Sequence, residues 1–135
     1  MKLNIYTDGG ARGNPGIAGI GVVITDGTGN ILEKRYKSLG IKTNNQAEYL
    51  GALFGIQRGI ELKAKEIELY MDSQLVINQL SGNFKVKNKS LAEIKFDIQK
   101  LITNWGGKIS FIHIPREKNR EADRLSNIAM DKLIN

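Results

Sequence analysis

The spacing of its apolar runs constrains this chain more than any other feature. Three strand-like runs come first: KLNIYTD (2–8), IAGIGVVITD (17–26) and ILEKRYKSLG (31–40). The last two flank GTGN, a hairpin signal, so three antiparallel N-terminal strands are expected. From residue 43 the pattern changes. TNNQAEYLGALFGIQRGIEL carries apolar residues at helical spacing, with Ala47, Leu50 and Phe54 on one line and Leu53, Ile56 and Ile60 on another. EIELYMD (66–72) then reads as a fourth strand, SQLVINQL (73–80) as a short helix, and SLAEIKFDIQKLITNW (90–105) as a helix stopped by Gly106 and Gly107. KISFIHI (108–114) is a fifth strand and READRLSNIAMDKLIN (120–135) a closing helix. Strands joined through helices make right-handed parallel crossovers. The order βββαβααβα therefore predicts an α/β fold, a five-stranded mixed sheet flanked by helices. No repeat, low-complexity tract or linker interrupts the 135 residues, which suit a single domain over 1–135. Asn45 with Glu48, and Ser90 with Glu93, have the spacing of capping pairs for the first and third helices.

Charge narrows the partner. Twenty basic side chains against 14 acidic ones leave a net charge of +6, which favours a polyanion, nucleic acid above all. The absence of cysteine excludes disulfides and thiolate chemistry, so a metal must be held by oxygen or by the single His113. No apolar run reaches membrane length and MKLNIYTDGG lacks a signal-type apolar segment. The expectation is a cytoplasmic protein with no membrane partner.

Against this basic background, certain acids fall at telling places. Asp8 ends the first predicted strand, Asp72 ends the fourth, and His113 lies near the end of the fifth. Sites in α/β sheets form beyond the carboxyl ends of parallel strands. Asp8 and Asp72 share such a rim if the first and fourth strands are parallel neighbours. Glu48 belongs to the first turn of the long helix and Asp123 to the start of the last, where Glu117 and Glu121 are equally near. Carboxylates crowded on one rim raise each other's pKa unless a cation neutralises them. An all-oxygen ligand set suits Mg²⁺ or Mn²⁺. Two such ions can activate water on one side of a phosphodiester and steady the leaving oxygen on the other. Singly, each acid has an ordinary reading: aspartates at strand ends form turns, and Glu48 completes a cap. GIAGIG lies inside a strand-like run with no helix after it, which argues against a dinucleotide loop.

Four motifs, DGGARGNPG, TNNQAEYLG, MDSQLV and HIPREKNREAD, together resemble type 1 ribonuclease H in residue type, order and spacing. The resemblance covers nearly the whole chain and implies the ribonuclease H-like fold. It also implies an endonuclease that cuts the RNA strand of an RNA/DNA hybrid, leaving 5′-phosphate and 3′-hydroxyl ends. His113 stands ten residues ahead of Asp123, the family's spacing, which selects Asp123 over Glu117 and Glu121. Asp8, Glu48, Asp72 and Asp123 would then ligate two Mg²⁺ ions, with Mn²⁺ as a substitute. Glu48 would also sense the 2′-hydroxyl, and His113, on the loop after the fifth strand, would assist proton movement or product release.

Hybrids are read by shape through a minor groove lined with 2′-hydroxyls. The glycines at 9, 10, 13 and 16 allow backbone to approach the sugars closely. By resemblance, Gly9 offers its backbone to a 2′-hydroxyl. The resemblance also implies that Asn14, Asn44, Asn45 and Gln74 would reach sugars or base edges, and that Thr43 and Asn88 would grip a phosphate of the DNA strand. Well-known bacterial members insert a long basic protrusion where this chain has only SGNFKVKNK. Phe84, Lys85, Lys87 and Lys89 form a reduced strip there, and weaker, more salt-sensitive hybrid binding is expected. Two other readings use the same fold: a nuclease preferring double-stranded RNA, and a hybrid-binding module without catalysis. The latter predicts a missing carboxylate, and all four are present. The family's habit is monomeric.

Overall fold

The computed structural model describes the backbone of residues 1–134 and side chains through Lys132. Strand β1 spans Lys2–Gly13, β2 Gly16–Thr25 and β3 Ile31–Lys42. Helix α1 covers Asn44–Glu61, β4 Glu66–Met71, α2 Gln74–Leu80 and α3 Lys89–Trp105. Strand β5 covers Lys108–His113, a 3₁₀ turn Arg116–Lys118 and α4 Arg120–Ile134. The expected order βββαβααβα is observed, and only Asn135 of the predicted closing helix lies outside the described residues.

The strands lie in the order β3-β2-β1-β4-β5. The first three are antiparallel, while β4 runs parallel to both β1 and β5. Asp8 and Asp72 therefore do share one rim. Strand β1, however, does not end at Asp8. It continues to Gly13 because β2 pairs with it along its whole length, whereas the parallel pairing with β4 stops at Tyr6 and Tyr70. Asp8 stands where β1 has lost one neighbour and kept the other.

Alternation along the strands divides the interior. Leu3 and Ile5 of β1, Val22 and Ile24 of β2 and Ile67, Leu69 and Met71 of β4 form the main core with α1, α2 and α3. On the opposite face Val23 packs with Ala122 and Leu125 of α4, flanked by Tyr6 and Ile128. The predicted apolar lines of α1 need correction. Leu50, Leu53, Phe54 and Ile60 are only half-buried. The face against the sheet is Ala47, Gly51, Gly55 and Gly59, with Ala52 and Ile56 beside it. A Cβ on Gly55 or Gly59 would press into Thr7, Ile5 and Ile67, so the stripe of missing side chains sets how closely α1 lies on β1 and β4.

The helix caps also differ from expectation. Thr43, not Asn45, caps α1: its Oγ accepts from Gln46 N–H at 3.1 Å while Thr43 N–H donates to Gln46 Oε1 at 2.9 Å. Asn88, not Ser90, caps α3, its Oδ1 accepting from Leu91 N–H at 3.1 Å. In both cases a short side chain earlier in sequence reaches the orphan amides first. Glu48 is thereby left free of capping duty.

The glycines of GIAGIG have a packing role. Gly19 and Gly21 of β2 seat α4, and a Cβ at Gly21 would overlap the Ala122 carbonyl. Gly21→Ala should therefore lose about 1–3 kcal/mol in urea unfolding. Gly27→Ala, whose added methyl meets nothing, should stay within about 0.5 kcal/mol of wild type.

Candidate active site

The exposed end of the β1/β4 pair opens into a cavity of about 550 Å³. Asp8, Glu48, Asp72 and Asp123 all line it. Asp8 comes from the middle of β1, and its side chain is only 7% exposed. Asp72 follows the last residue of β4, just before Ser73, whose Oγ caps α2 by accepting from Val76 N–H at 3.3 Å. Glu48 projects from the first turns of α1. Gly9 brings it there: with no side chain between β1 and α1, the Ala47–Glu48 backbone lies directly over Gly9. One oxygen each from Asp8, Glu48 and Asp72 falls within 4.8 Å of the other two. Asp123, near the start of α4, bears on Asp8 from the opposite wall and stands outside that trio.

Such crowding without a counter-charge has an electrostatic signature. Asp8 is pushed up to about 7, first by burial, then by the charges of Asp72 and Asp123. Burial, followed by Asp8 and Asp72, holds Glu48 well above the usual carboxylate range, and the nearby Gly9 N–H opposes this in part. The Glu48 Oε2 atom is enclosed and has no hydrogen-bond partner. A buried, unpartnered carboxylate oxygen beside two further carboxylates fits a hard divalent cation, which takes oxygen ligands and supplies the missing positive charge. The fourth acid makes the site more negative still, so the all-oxygen donor set fits a hard divalent cation.

Other expected residues are distributed as follows. Gly9, Asn44 and Asn45 line the cavity. Asn44 accepts from Ala11 N–H through Oδ1 at 2.7 Å and donates its own N–H to Asn14 Oδ1 at 3.0 Å, tying the glycine-rich end of β1 to α1. Thr43 and Asn88 are linked through side chains. Gln46, bonded to Thr43, donates to Ser90 Oγ at 3.3 Å, and Ser90 Oγ donates to Asn88 Oδ1 at 2.7 Å. The N-termini of α1 and α3 are thus held side by side. Gln74 is exposed at the start of α2. Phe84, Lys85 and Lys87 lie exposed in the loop after α2, and Lys89 begins α3; none of them lines the cavity. His113 is the last residue of β5 rather than part of the following loop, is exposed, and also lies outside the cavity lining.

The sequence reading missed several wall residues. Arg12, Ser73, Arg116 and Ser126 line the cavity. Ser126 Oγ donates to Asp123 O at 2.8 Å and stands 3.5 Å from Asp8 Oδ2. Arg116 lies within HIPREKNREAD and could have been found there, whereas Ser126 sits one helical turn after Asp123 with no pattern to mark it.

Comparison with known proteins agrees with this geometry. The family described as reverse transcriptase-like matches residues 6–129. A ribonuclease HI of Halobacterium salinarum is 36% identical over 96% of this chain and 65% of its own. The crystal structure of LC11-RNase H1 in complex with RNA/DNA hybrid superposes with a TM-score of 0.94 at 43% identity, covering 98% of this chain and 99% of that one. The chain belongs to the type 1 ribonuclease H family. A bifunctional protein of Mycobacterium tuberculosis is 42% identical over 97% of this chain, which spans only 36% of that protein's length. Among the described residues, no helix is long and apolar enough to cross a membrane.

The raised carboxylates give a stability prediction. Asp8 in the folded protein titrates near 7, above its unfolded value, so the folded state holds the extra proton between about pH 4 and pH 7. Without divalent cations, stability should fall as pH rises through that window. Asp8→Asn removes the strain. In EDTA at pH 8 this variant should be more stable than wild type by about 1–2 kcal/mol, with the gap closing near pH 4. Urea unfolding at both pH values measures it, and a wild type more stable than the variant at pH 8 would show that the acids are not strained.

Proposed function

We propose that this chain cuts the RNA strand of RNA/DNA hybrids, as a monomer in the cytoplasm, leaving 5′-phosphate and 3′-hydroxyl ends. The observation that carries the reading is the converging trio Asp8, Glu48 and Asp72, with Asp123 opposite, in a chain whose net charge is +6. A strongly basic protein that spends four acids on one cavity has built a cation site facing a polyanion. The substrate class follows from the likeness to LC11-RNase H1, which was solved with an RNA/DNA hybrid.

Asp8, Glu48, Asp72 and Asp123 would hold the cations, two Mg²⁺ or in substitution two Mn²⁺. Bound there, divalent ions supply Lewis acidity to the scissile phosphate and a stronger water nucleophile. The chain's own residues do the rest. Asp8 is centrally placed, since it faces Asp72, Glu48 and Asp123 at once. Glu48, on a helix over Gly9, is placed to read a 2′-hydroxyl as well as to bind a cation. Gly9, whose missing side chain lets α1 lie directly over it, would offer its backbone to a 2′-hydroxyl. Asn14, Asn44, Asn45 and Gln74 offer amides that both donate and accept, suited to hydroxyls and base edges in a minor groove.

Thr43 and Asn88 cap two helices held side by side, and paired helix N-termini favour a backbone phosphate. His113, at the exposed end of β5, would assist proton movement or product release. Phe84, Lys85, Lys87 and Lys89 would add a basic contact beyond the catalytic cavity.

Cleavage of end-labelled RNA paired with DNA, beside RNA/RNA duplex and single-stranded RNA, tests the reading. Hybrid cutting in Mg²⁺ or Mn²⁺, absent in EDTA, is the expected result. Asp8→Asn and Asp72→Asn should each lower kcat by at least about a thousandfold while remaining folded, since each removes a charged cation ligand. Binding of hybrid without cutting in either metal would instead leave a hybrid-binding module, and preferential cutting of RNA/RNA would change the substrate. The lysine strip has its own test. Joint replacement of Lys85 and Lys87 by alanine should weaken hybrid binding and reduce the slope of log K against log salt by about two, with kcat unchanged.

A further inference from the structure

Asn119 is a nearly fully buried polar residue, 2% exposed, and stands outside every role assigned above. We propose that it is the positioning residue that fixes three acid-bearing parts of the fold, β1, the end of β4 and the start of α4, relative to one another, an inference that rests on the cation-dependent nuclease reading. Its Nδ2 donates to two acceptors, Thr7 O at 2.9 Å and Asp72 Oδ2 at 3.1 Å. Its backbone carbonyl accepts from Asp123 N–H at 3.1 Å, in the first turn of α4. One residue therefore touches the backbone next to Asp8, the carboxylate of Asp72 and the backbone of Asp123.

The reason lies in the sheet. Parallel pairing between β1 and β4 ends at Tyr6 and Tyr70, one residue before Thr7. Beyond that point β1 has no strand on its β4 side, and the Thr7 carbonyl needs another donor. The Asn119 amide supplies it and spends its second hydrogen on Asp72, so the end of β4 stays in step with β1 although no ladder joins them. With Asp72 Oδ2 held by an amide, the carboxylate has one fixed orientation toward the cavity. The Asn119 Oδ1 atom is enclosed and has no partner. A buried acceptor left unsatisfied is destabilising by itself. The residue thus serves through its NH₂ group and not by completing a network, which marks it as a device for holding the site.

Two variants test this. Asn119→Ala removes the donor, and Asn119→Asp keeps the volume but replaces the donor with a third carboxylate beside Asp72. Outer partners of metal ligands typically act at the 10- to 100-fold level. Both folded variants should therefore lower kcat on the hybrid by about 10- to 100-fold with KM within about twofold, because the groove amides and the helix caps are untouched. The Mg²⁺ or Mn²⁺ concentration that half-saturates the cation-induced rise in Tm should increase by a similar factor. That thermal titration needs no substrate. Should wild type cut no hybrid at all, the nuclease reading fails while the cation titration still judges Asn119. Normal kcat together with a normal cation titration in either folded variant overturns the proposal. So does failure of both variants to fold, which would make Asn119 a residue of the fold alone.

Discussion

Everything in this molecule is arranged around carboxylates packed too closely for their own charges. Asp8, Glu48 and Asp72 place oxygens within 4.8 Å of one another in a largely enclosed site, and the result is a raised Asp8 and a raised Glu48. Like charges at such range repel by several kcal/mol if solvent is excluded, and burial penalises each one again. The fold must therefore hold the acids against their repulsion without neutralising them by its own cations. It does so with backbone. Asp8 sits in a strand hydrogen-bonded to β2 on its far side, Glu48 on a helix pressed to the sheet, and Asp72 under the Asn119 amide.

That requirement explains the glycines. A helix lying on a sheet at ordinary distance would leave Glu48 too far from Asp8 for shared chemistry. Removing side chains at Gly9 on the strand and at Gly51, Gly55 and Gly59 on the helix lets α1 settle closer, with Ala52 and Ile56 filling the flanks. The opposite face repeats the device. Gly19 and Gly21 of β2 let α4 descend so that Asp123 and Ser126 reach Asp8 from the other side. The sheet is thin where the site is, and it is thin because both faces have been stripped to backbone.

Much of this was legible in the sequence, for reasons that differ by element. Strands and helices showed in periodicity because burial acts on every second or every third to fourth residue. Asp8 and Asp72 showed in their placement at run ends, Glu48 and Asp123 in their places at helix starts, and all four in motifs that resemble a family's. The extension of β1 past Asp8 was hidden because GGARG has no apolar alternation, and the strand there is held by β2 alone. The caps went to Thr43 and Asn88 rather than Asn45 and Ser90, in each case a matter of two residues that spacing rules do not resolve. The glycine face of α1 was invisible to a search for apolar lines, since its contribution is the absence of atoms. His113 and Asn119 show the limit most clearly. Both lie in HIPREKNREAD, yet the one singled out by spacing ends exposed on β5, while the unremarked asparagine is buried against Asp72.

The site also shows why the acids and the basic surface belong together. On the proposed reading, a cavity lined by four carboxylates would repel a phosphodiester, and cations held by Asp8, Glu48, Asp72 and Asp123 would supply the positive charge that the site lacks. Arg116 on the cavity wall, with the chain's overall excess of lysine and arginine, would keep the approach favourable to a polyanion, whereas Arg12 on the same wall is paired with Asp131. The division of labour is spatial. Under the proposed function, diffuse positive charge would attract the nucleic acid, while the carboxylates would hold the hard cations that complete the site. A protein with either half alone would be a general polyanion binder or a cation buffer, and it is their adjacency, held by close glycine packing, that would make a phosphodiester the object of the proposed chemistry.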